Sequence, residues 1–193
     1  MGIQFVSKHP QDVITEGGHM KTPLVAALYG KHFWITKLLY QHGTDVDVRD
    51  DVGSTPLQST SNDGLVDVAR WLLNHGADVH SRDDSLITSL HLASQRVALH
   101  DASHLGNVRD QLDIMRLLPE YCASANAQDD AGSTPLHMLC SHGKESSKEA
   151  IHLLLSCGAN INAENNEGKI ALQLASAKGY NEIVELLSEF GTN

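Results

Sequence analysis

The side chains best suited to chemistry in this chain are its 12 histidines and 3 cysteines. His100 and His104 stand four residues apart, a spacing that places two metal ligands on one face of a helix. Cys140 and His142 stand two residues apart, which suggests a thiol activated by an imidazole. Neither pair is joined in the sequence by an evident third ligand or third catalytic group. We therefore expect no metal, no cofactor and no enzyme activity.

A repeated tripeptide indicates how these residues are positioned. Thr-Pro-Leu occurs at 22–24, 55–57 and 134–136, and the variant Thr-Ser-Leu occurs at 88–90. The first three of these sites along the chain are 33 residues apart, a period typical of repeat proteins. Each tripeptide predicts a helix start, because Thr is a good N-cap and Pro suits the first turn. A second apolar run follows in each unit, and its spacing predicts a second helix with one buried face.

The units resemble the ankyrin repeat over essentially the whole chain. The resemblance is carried by Gly-Ser-Thr-Pro-Leu at 53–57, His-Leu-Ala at 91–93, Ser-Thr-Pro-Leu-His at 133–137 and Gly-Ala-Asn-Ile-Asn-Ala at 158–163. It implies an all-α repeat solenoid of stacked helix-turn-helix units, with β-hairpin loops, here called fingers, projecting from one edge. Stability in such a stack is a sum over the units and the interfaces between them.

The repeat register divides the chain into units. A partial unit at 1–16 is followed by repeats at 17–49, 50–82, 83–128 and 129–164, and by a C-terminal capping repeat at 165–193. Thr88 and Thr134 are 46 residues apart, so the third repeat has 13 extra residues, and we expect an inserted loop at about 95–111. Pro119 should shorten or kink its second helix. Residues 1–16 form either a half-repeat cap or, the interpretation we favour, the start of a fragment of a longer protein.

The resemblance implies structural roles for most of the reactive side chains. His91 and His137 match the family histidine that makes an inter-loop hydrogen bond. Cys140 matches a small buried residue of the first helix, and His142 should face the concave surface. Trp34 has a solvent-facing register, so it either packs on the N-terminal half unit or contacts a partner.

Acidic pairs occupy the same two positions of three successive units, at 50–51, 83–84 and 129–130, and Asn165-Asn166 follows them. The first Asp of each pair matches a family position that braces the hairpin. The second, which is Asp51, Asp84 or Asp130, matches a variable position. Stacking would place these three in a row whose self-repulsion a basic partner relieves. The alternative is a solvated acidic face.

We expect a non-catalytic scaffold that binds a partner protein through the fingers and the concave face. The finger residues are Arg49, Asp51, Val52, Ser54, Arg82, Asp84, Ser85, Ile87, Gln128, Asp130, Ala131, Ser133, Glu164, Asn166, Glu167 and Lys169. The helix residues are Asn62, Asp63, Gln95, Arg96, Ser141 and His142. The inserted segment 97–107 is a further candidate, because a bulge absent from sister units can add specificity.

Composition limits the class of partner. With 24 acidic against 14 basic residues, the net charge of −10 disfavours nucleic acid and anionic membranes and favours a basic or mixed-charge protein. No apolar run approaches the roughly 18–20 residues of a membrane span, and no leader is visible. We expect an intracellular protein, cytoplasmic or nuclear, that is a monomer or part of a longer chain.

Two alternative functions remain open. The repeats are either the whole interaction module or the regulatory tail of a larger signalling enzyme or NTPase. The chain is also a candidate substrate for an asparagine hydroxylase. Ankyrin repeats as a class are hydroxylated at an Asn near the hairpin, and Asn126 and Asn162 match that position, whereas Asp47 and His80 replace it in the first two repeats.

Overall fold

The computed structural model describes residues 23–30, 32–99, 108–142 and 147–191. Within these ranges the chain forms ten helices in five consecutive pairs. The helices are α1 (Pro23–Tyr29), α2 (Phe33–Gln41), α3 (Pro56–Asp63), α4 (Val66–Asn74), α5 (Ser89–Leu99), α6 (Val108–Glu120), α7 (Pro135–Ser141), α8 (Ser147–Ser156), α9 (Ala171–Lys178) and α10 (Asn181–Gly191).

The helix pairs stack in chain order around one continuous core. The first helices α3, α5, α7 and α9 contact one another in sequence, and the second helices α4, α6 and α8 do the same. The leucine of each tripeptide lies between these layers, at most 1% exposed at Leu24, Leu57, Leu90 and Leu136. Its counterpart Leu172 in the last pair is half-buried. The predicted all-α repeat solenoid is confirmed.

The tripeptides begin helices as predicted. The amide of Gln58 donates to Thr55 Oγ1, and the amide of Thr55 donates to Gln58 Oε1 at 2.9 Å, so the two residues form a reciprocal capping box. At the start of α7, the amide of Thr134 donates to His137 Nδ1 at 3.1 Å. These local bonds satisfy amides that would otherwise lack a partner at a helix start.

The third repeat differs from the sequence prediction in two ways. The expected loop at about 95–111 is shorter, because α5 continues to Leu99 and α6 already begins at Val108. Val97 is fully buried, so this part of the insertion adds helix and core instead of a bulge. Pro119 does not shorten α6, which runs to Glu120, because a proline in the last turn removes a single helical hydrogen bond. Residues 100–107 lie outside the described ranges, as do His100 and His104.

Candidate protein-interaction surface

Four fingers, at 50–54, 83–87, 129–133 and 165–169, precede the first helices of the last four pairs. Each is a tight turn, closed at 3.0 Å in the first finger by the Asp50 amide and the Ser54 carbonyl. Asp50 Oδ1 accepts hydrogen bonds from the amides of Val52 and Ser54. Asp83, Asp129 and Asn165 do the same in the later fingers. The predicted bracing role of the first residue in each pair is confirmed.

The fingers are also bonded to one another through the second residue of each pair. The Asp84 amide donates to the Val52 carbonyl at 3.3 Å, and the Asp130 amide donates to the Ser85 carbonyl at 3.0 Å. The amide of Asn166 continues this series to the third finger. The side chains of Asp51, Asp84 and Asp130 are exposed, one in each of three connected fingers. This is the arrangement that the acidic pairs predicted.

The position before each pair bridges neighbouring fingers. Arg49 Nη1 donates to the carbonyl of Gly53 at 2.7 Å and also to that of Arg82 in the next unit. Arg82 reaches the carbonyl of Gln128 at 3.3 Å. Gln128 Nε2 donates to the carbonyls of Gly132 and Glu164. These side chains were predicted as partner contacts. In the structure their hydrogen bonds also fix the spacing between neighbouring fingers.

Buried side chains at the base of the fingers connect successive units. His91 Nε2 lies 2.9 Å from the carbonyl of Ser133, and its Nδ1 accepts from the Thr88 amide. His137 makes the equivalent bond to the Lys169 carbonyl at 3.0 Å. Burial lowers the pKa of His91, although its bond to the Ser133 carbonyl opposes this effect. The predicted structural role of both histidines is confirmed.

The second part of the predicted surface lies at the C-terminal ends of the first helices. Asn62 and Asp63 close α3, Gln95 and Arg96 lie near the end of α5, and Ser141 ends α7. His142 Nδ1 is 2.8 Å from Ser141 Oγ. These residues range from half-buried to exposed.

Cys140 and His142 do not form a nucleophile pair. Cys140 is fully buried, and burial raises the pKa of its thiol to about 12. A thiol with such a pKa holds its proton near neutral pH and is a poor nucleophile. In the part of the chain that the structure describes, no group of three or more His, Cys, Asp or Glu side chains is arranged to hold a metal.

A family model described as ankyrin repeats (3 copies) matches residues 5–83, 24–118 and 99–193. The chain belongs to the ankyrin repeat family. Ankyrin repeats are protein-interaction units, and the connected fingers of this member offer an exposed surface for that role.

Several ankyrin repeat proteins are similar to this chain over part of their length. The probable E3 ubiquitin-protein ligase XBOS33 of Oryza sativa subsp. japonica is 32% identical over 180 residues, which is 91% of this chain and 32% of the ligase. Protein phosphatase 1 regulatory subunit 27 of Homo sapiens is 38% identical over 89 residues, which is 46% of this chain and 53% of the subunit. This ankyrin chain therefore spans about a third to a half of the length of these relatives.

One ankyrin finger residue escaped the sequence prediction. Leu86 occupies the place of Gly53, Gly132 and Gly168 in the other fingers, and it is 44% exposed with a φ of +59°. The repeat register carried the signal for it, since a leucine aligned with three glycines. Leu86 was missed because the predicted finger residues leave out the position that is glycine in the other fingers.

The remaining predicted residues divide by exposure. Ser54, Ile87 and Ser133 are half-buried where the fingers join the helices. The exposed members are Val52, Ser85, Ala131, Glu164, Asn166, Glu167 and Lys169, of which the last forms an ion pair with Glu167 at 2.7 Å. Trp34 is 64% exposed, and the half unit at 1–16, which was one of its two expected contacts, lies outside the described residues.

The two asparagines that match the family's hydroxylation position differ in their contacts. Asn126 Oδ1 accepts from the Asn160 amide at 2.6 Å, and Asn126 Nδ2 donates to the Gly158 carbonyl. Asn162 is exposed. Asp47 bridges to the Asp78 amide in the same manner as Asn126.

No helix among the described residues is long and apolar enough to span a membrane.

Proposed function

We propose that this ankyrin chain is a non-catalytic interaction module that binds a basic or mixed-charge protein across its fingertips. The observation that carries the proposal is the exposed acid in each of three fingers that are hydrogen-bonded in series. Bridging by Arg49, Arg82 and Gln128 fixes the spacing of these acids before a partner arrives. A prearranged row of charge loses little conformational entropy on binding.

Electrostatics favours a basic partner over other occupants. The three acids are solvent-exposed, so their mutual repulsion is modest, and so is the gain from each new ion pair, about 0.2–1 kcal/mol. Three such pairs together contribute about tenfold in affinity and accelerate association at low ionic strength. The ends of α3, α5 and α7 would then contact the part of the partner that lies along the helices.

The test removes the charge while keeping the finger geometry. The whole chain is used to select binders from a displayed library of short random peptides, and the enriched peptides are titrated against wild type and the triple variant Asp51→Asn, Asp84→Asn, Asp130→Asn. Asn166 already occupies this position in the fourth finger, so asparagine fits the turn. We expect basic peptides to be enriched and the triple variant to bind them about tenfold more weakly.

A matched control separates the position of the charge from its amount. Asp67→Asn, Glu120→Gln and Glu185→Gln remove three exposed acids from the second helices. This control should bind the peptides as wild type does. Enrichment of peptides without basic residues, or equal weakening by both triple variants, contradicts the proposal.

Because this chain matches only part of each relative, a second candidate function is possible for it. The similar proteins are named as a ligase and a phosphatase regulatory subunit, and the chain spans only part of each. The repeats would then be the regulatory part of a larger enzyme, with the same fingers as the docking surface. Sequencing the transcript on both sides of this chain tests the idea, since an adjoining catalytic domain is expected and its absence would contradict it.

The third candidate is hydroxylation at Asn126 or Asn162. Both asparagines are exposed, but Asn126 must first release the Gly158 carbonyl and the Asn160 amide, which favours reaction at Asn162. After incubation with an asparagine hydroxylase and digestion, the mass of the peptide that contains Asn162 would show the gain of one oxygen atom. An unchanged mass would contradict this candidate.

A further inference from the structure

We propose that Leu86 is the apolar anchor of the finger surface, and that the partner presents an apolar side chain flanked by basic residues. This inference rests on the proposed function, because it assigns the partner's chemistry at the same fingers. Its main support is a leucine held in a backbone conformation that the other fingers reserve for glycine.

The backbone of Leu86 is strained without any visible benefit to folding. Its φ of +59° lies in the left-handed region, as do the φ angles of Gly53 and Gly132 at the same position. In this region the Cβ of an L-residue is crowded by the backbone, so leucine costs folding free energy that glycine does not. The turn itself is unchanged, since the Leu86 amide donates to the Asp83 carbonyl at 2.9 Å, as Gly53 does to Asp50.

A leucine at this position also gives up a contact between fingers. A Cβ built on Gly53 would lie 2.4 Å from Asp84 Oδ1, and one on Gly132 would lie 2.5 Å from Asn166 Oδ1. The acid or amide of the next finger therefore packs across the glycine. Leu86 carries a Cβ, so the Asp130 side chain cannot pack across the second finger in this way, although the Asp130 amide still donates to the Ser85 carbonyl.

The side chain of Leu86 is directed to the surface and not into the core. It is 44% exposed and does not belong to the hydrophobic core among the described residues. Retained strain at an exposed residue is typical of binding sites, where the cost is offset by function. A leucine in this place is best explained by an apolar contact made outside the chain.

The neighbours of Leu86 specify the partner's chemistry. Val52 in the first finger is 48% exposed, and its carbonyl accepts the Asp84 amide, so an apolar side chain lies on the adjacent finger. Asp84 and Asp130 lie on the same and the following finger, and both are exposed. An apolar centre with acidic neighbours is complementary to an apolar side chain between lysines or arginines.

The experiment compares two substitutions that relieve the same strain. Leu86→Gly removes the side chain in the finger, and Cys122→Gly removes the other described non-glycine side chain with a positive φ, which is +67° at an exposed site after α6. Both variants should unfold at an equal or higher denaturant concentration than wild type. Peptides from the displayed random library are selected on wild type and then titrated against both variants.

The two proposals give distinguishable outcomes. We expect the enriched peptides to share an apolar residue between basic residues, Leu86→Gly to bind them at least about tenfold more weakly, and Cys122→Gly to bind as wild type does. Leu86→Asn, which suits a left-handed turn but is polar, should also bind weakly. Basic peptides without a shared apolar position, or full binding by Leu86→Gly, overturn the anchor and leave the proposed function standing. Enrichment of non-basic peptides overturns both.

Discussion

At the residue scale, a few side chains at the base of the fingers join the units. The Gln58 side chain accepts a hydrogen bond from the Thr55 amide of its own unit. It also donates a hydrogen bond of 2.7 Å to the carbonyl of Ile87 in the next unit. One unit later, His91 makes the equivalent two bonds with its ring nitrogens: Nδ1 accepts from the Thr88 amide, and Nε2 donates to the Ser133 carbonyl of the next unit. The bond pattern requires the neutral imidazole with a proton on Nε2, because Nδ1 must accept from Thr88.

The histidine makes this junction sensitive to pH, and glutamine does not. Because burial holds the folded pKa of His91 below its ordinary value of 6.5, the unfolded chain takes up a proton first as the pH falls. The stability that neutral His91 contributes is therefore complete above pH 6.5 and is lost as the pH falls below it towards the folded-state pKa.

We predict that His91→Gln folds as wild type does at pH 8 and is the more stable of the two at pH 5. Glutamine is the residue that this chain already uses at the same position in Gln58. Urea denaturation followed by circular dichroism at both pH values measures the difference between the two stability curves. Parallel curves for the two proteins across this range would show that His91 does not titrate in the transition.

At the element scale, each finger is rigid because it is held by its neighbours as well as by its own turn. Asn166 packs across Gly132, where an added Cβ would lie 2.5 Å from Asn166 Oδ1 and 2.8 Å from its backbone nitrogen. Gly158 has a similar φ of +81° after α8, and an added Cβ would meet nothing within 4 Å. Substituting each of these two glycines therefore distinguishes the cost of a side chain at positive φ from the cost of disturbing the contact between fingers.

We predict that Gly158→Ala lowers the free energy of unfolding by about 1 kcal/mol, the cost of a side chain at positive φ. Gly132→Ala should lower it by roughly twice as much, since the Asn166 backbone must also move. Chemical denaturation of both variants measures the two losses. Equal losses would mean that the third and fourth fingers do not depend on their close approach.

Local patterns in the sequence were sufficient to predict most of the helix starts and the finger turns. Thr-Pro caps and the bracing Asp act within five residues, so the sequence encodes them directly. The lengths of α5 and α6 depend on distant contacts, and the sequence did not reveal them. Gln111 in the first turn of α6 donates to the Asn62 carbonyl 49 residues away. Leu86, by contrast, could be found in the sequence, because the repeat register aligns it with the glycines of the other fingers.

At the scale of the whole molecule, hydrogen bonds between adjacent units join the separate fingers into one continuous surface. Backbone amides of Asp84, Asp130 and Asn166 join the fingers in series, and buried polar side chains join the units below them. In a repeat stack, each unit is stabilised by its neighbours. We therefore expect the row of Asp51, Asp84 and Asp130 to respond to a partner as a unit. In the proposed function, the net charge of −10 would direct a basic partner to the protein, and the row of Asp51, Asp84 and Asp130 would direct it to the fingers.

The most direct test of the central claim is to locate bound peptide on the protein. Backbone amide NMR shifts of the 21.0 kDa chain are followed during titration with a peptide enriched from the random library. We predict that the largest changes fall in the fingers at 50–54, 83–87 and 129–133 and at the ends of α3, α5 and α7. Changes concentrated on the second helices α4, α6 and α8, with the fingers unmoved, would contradict the account.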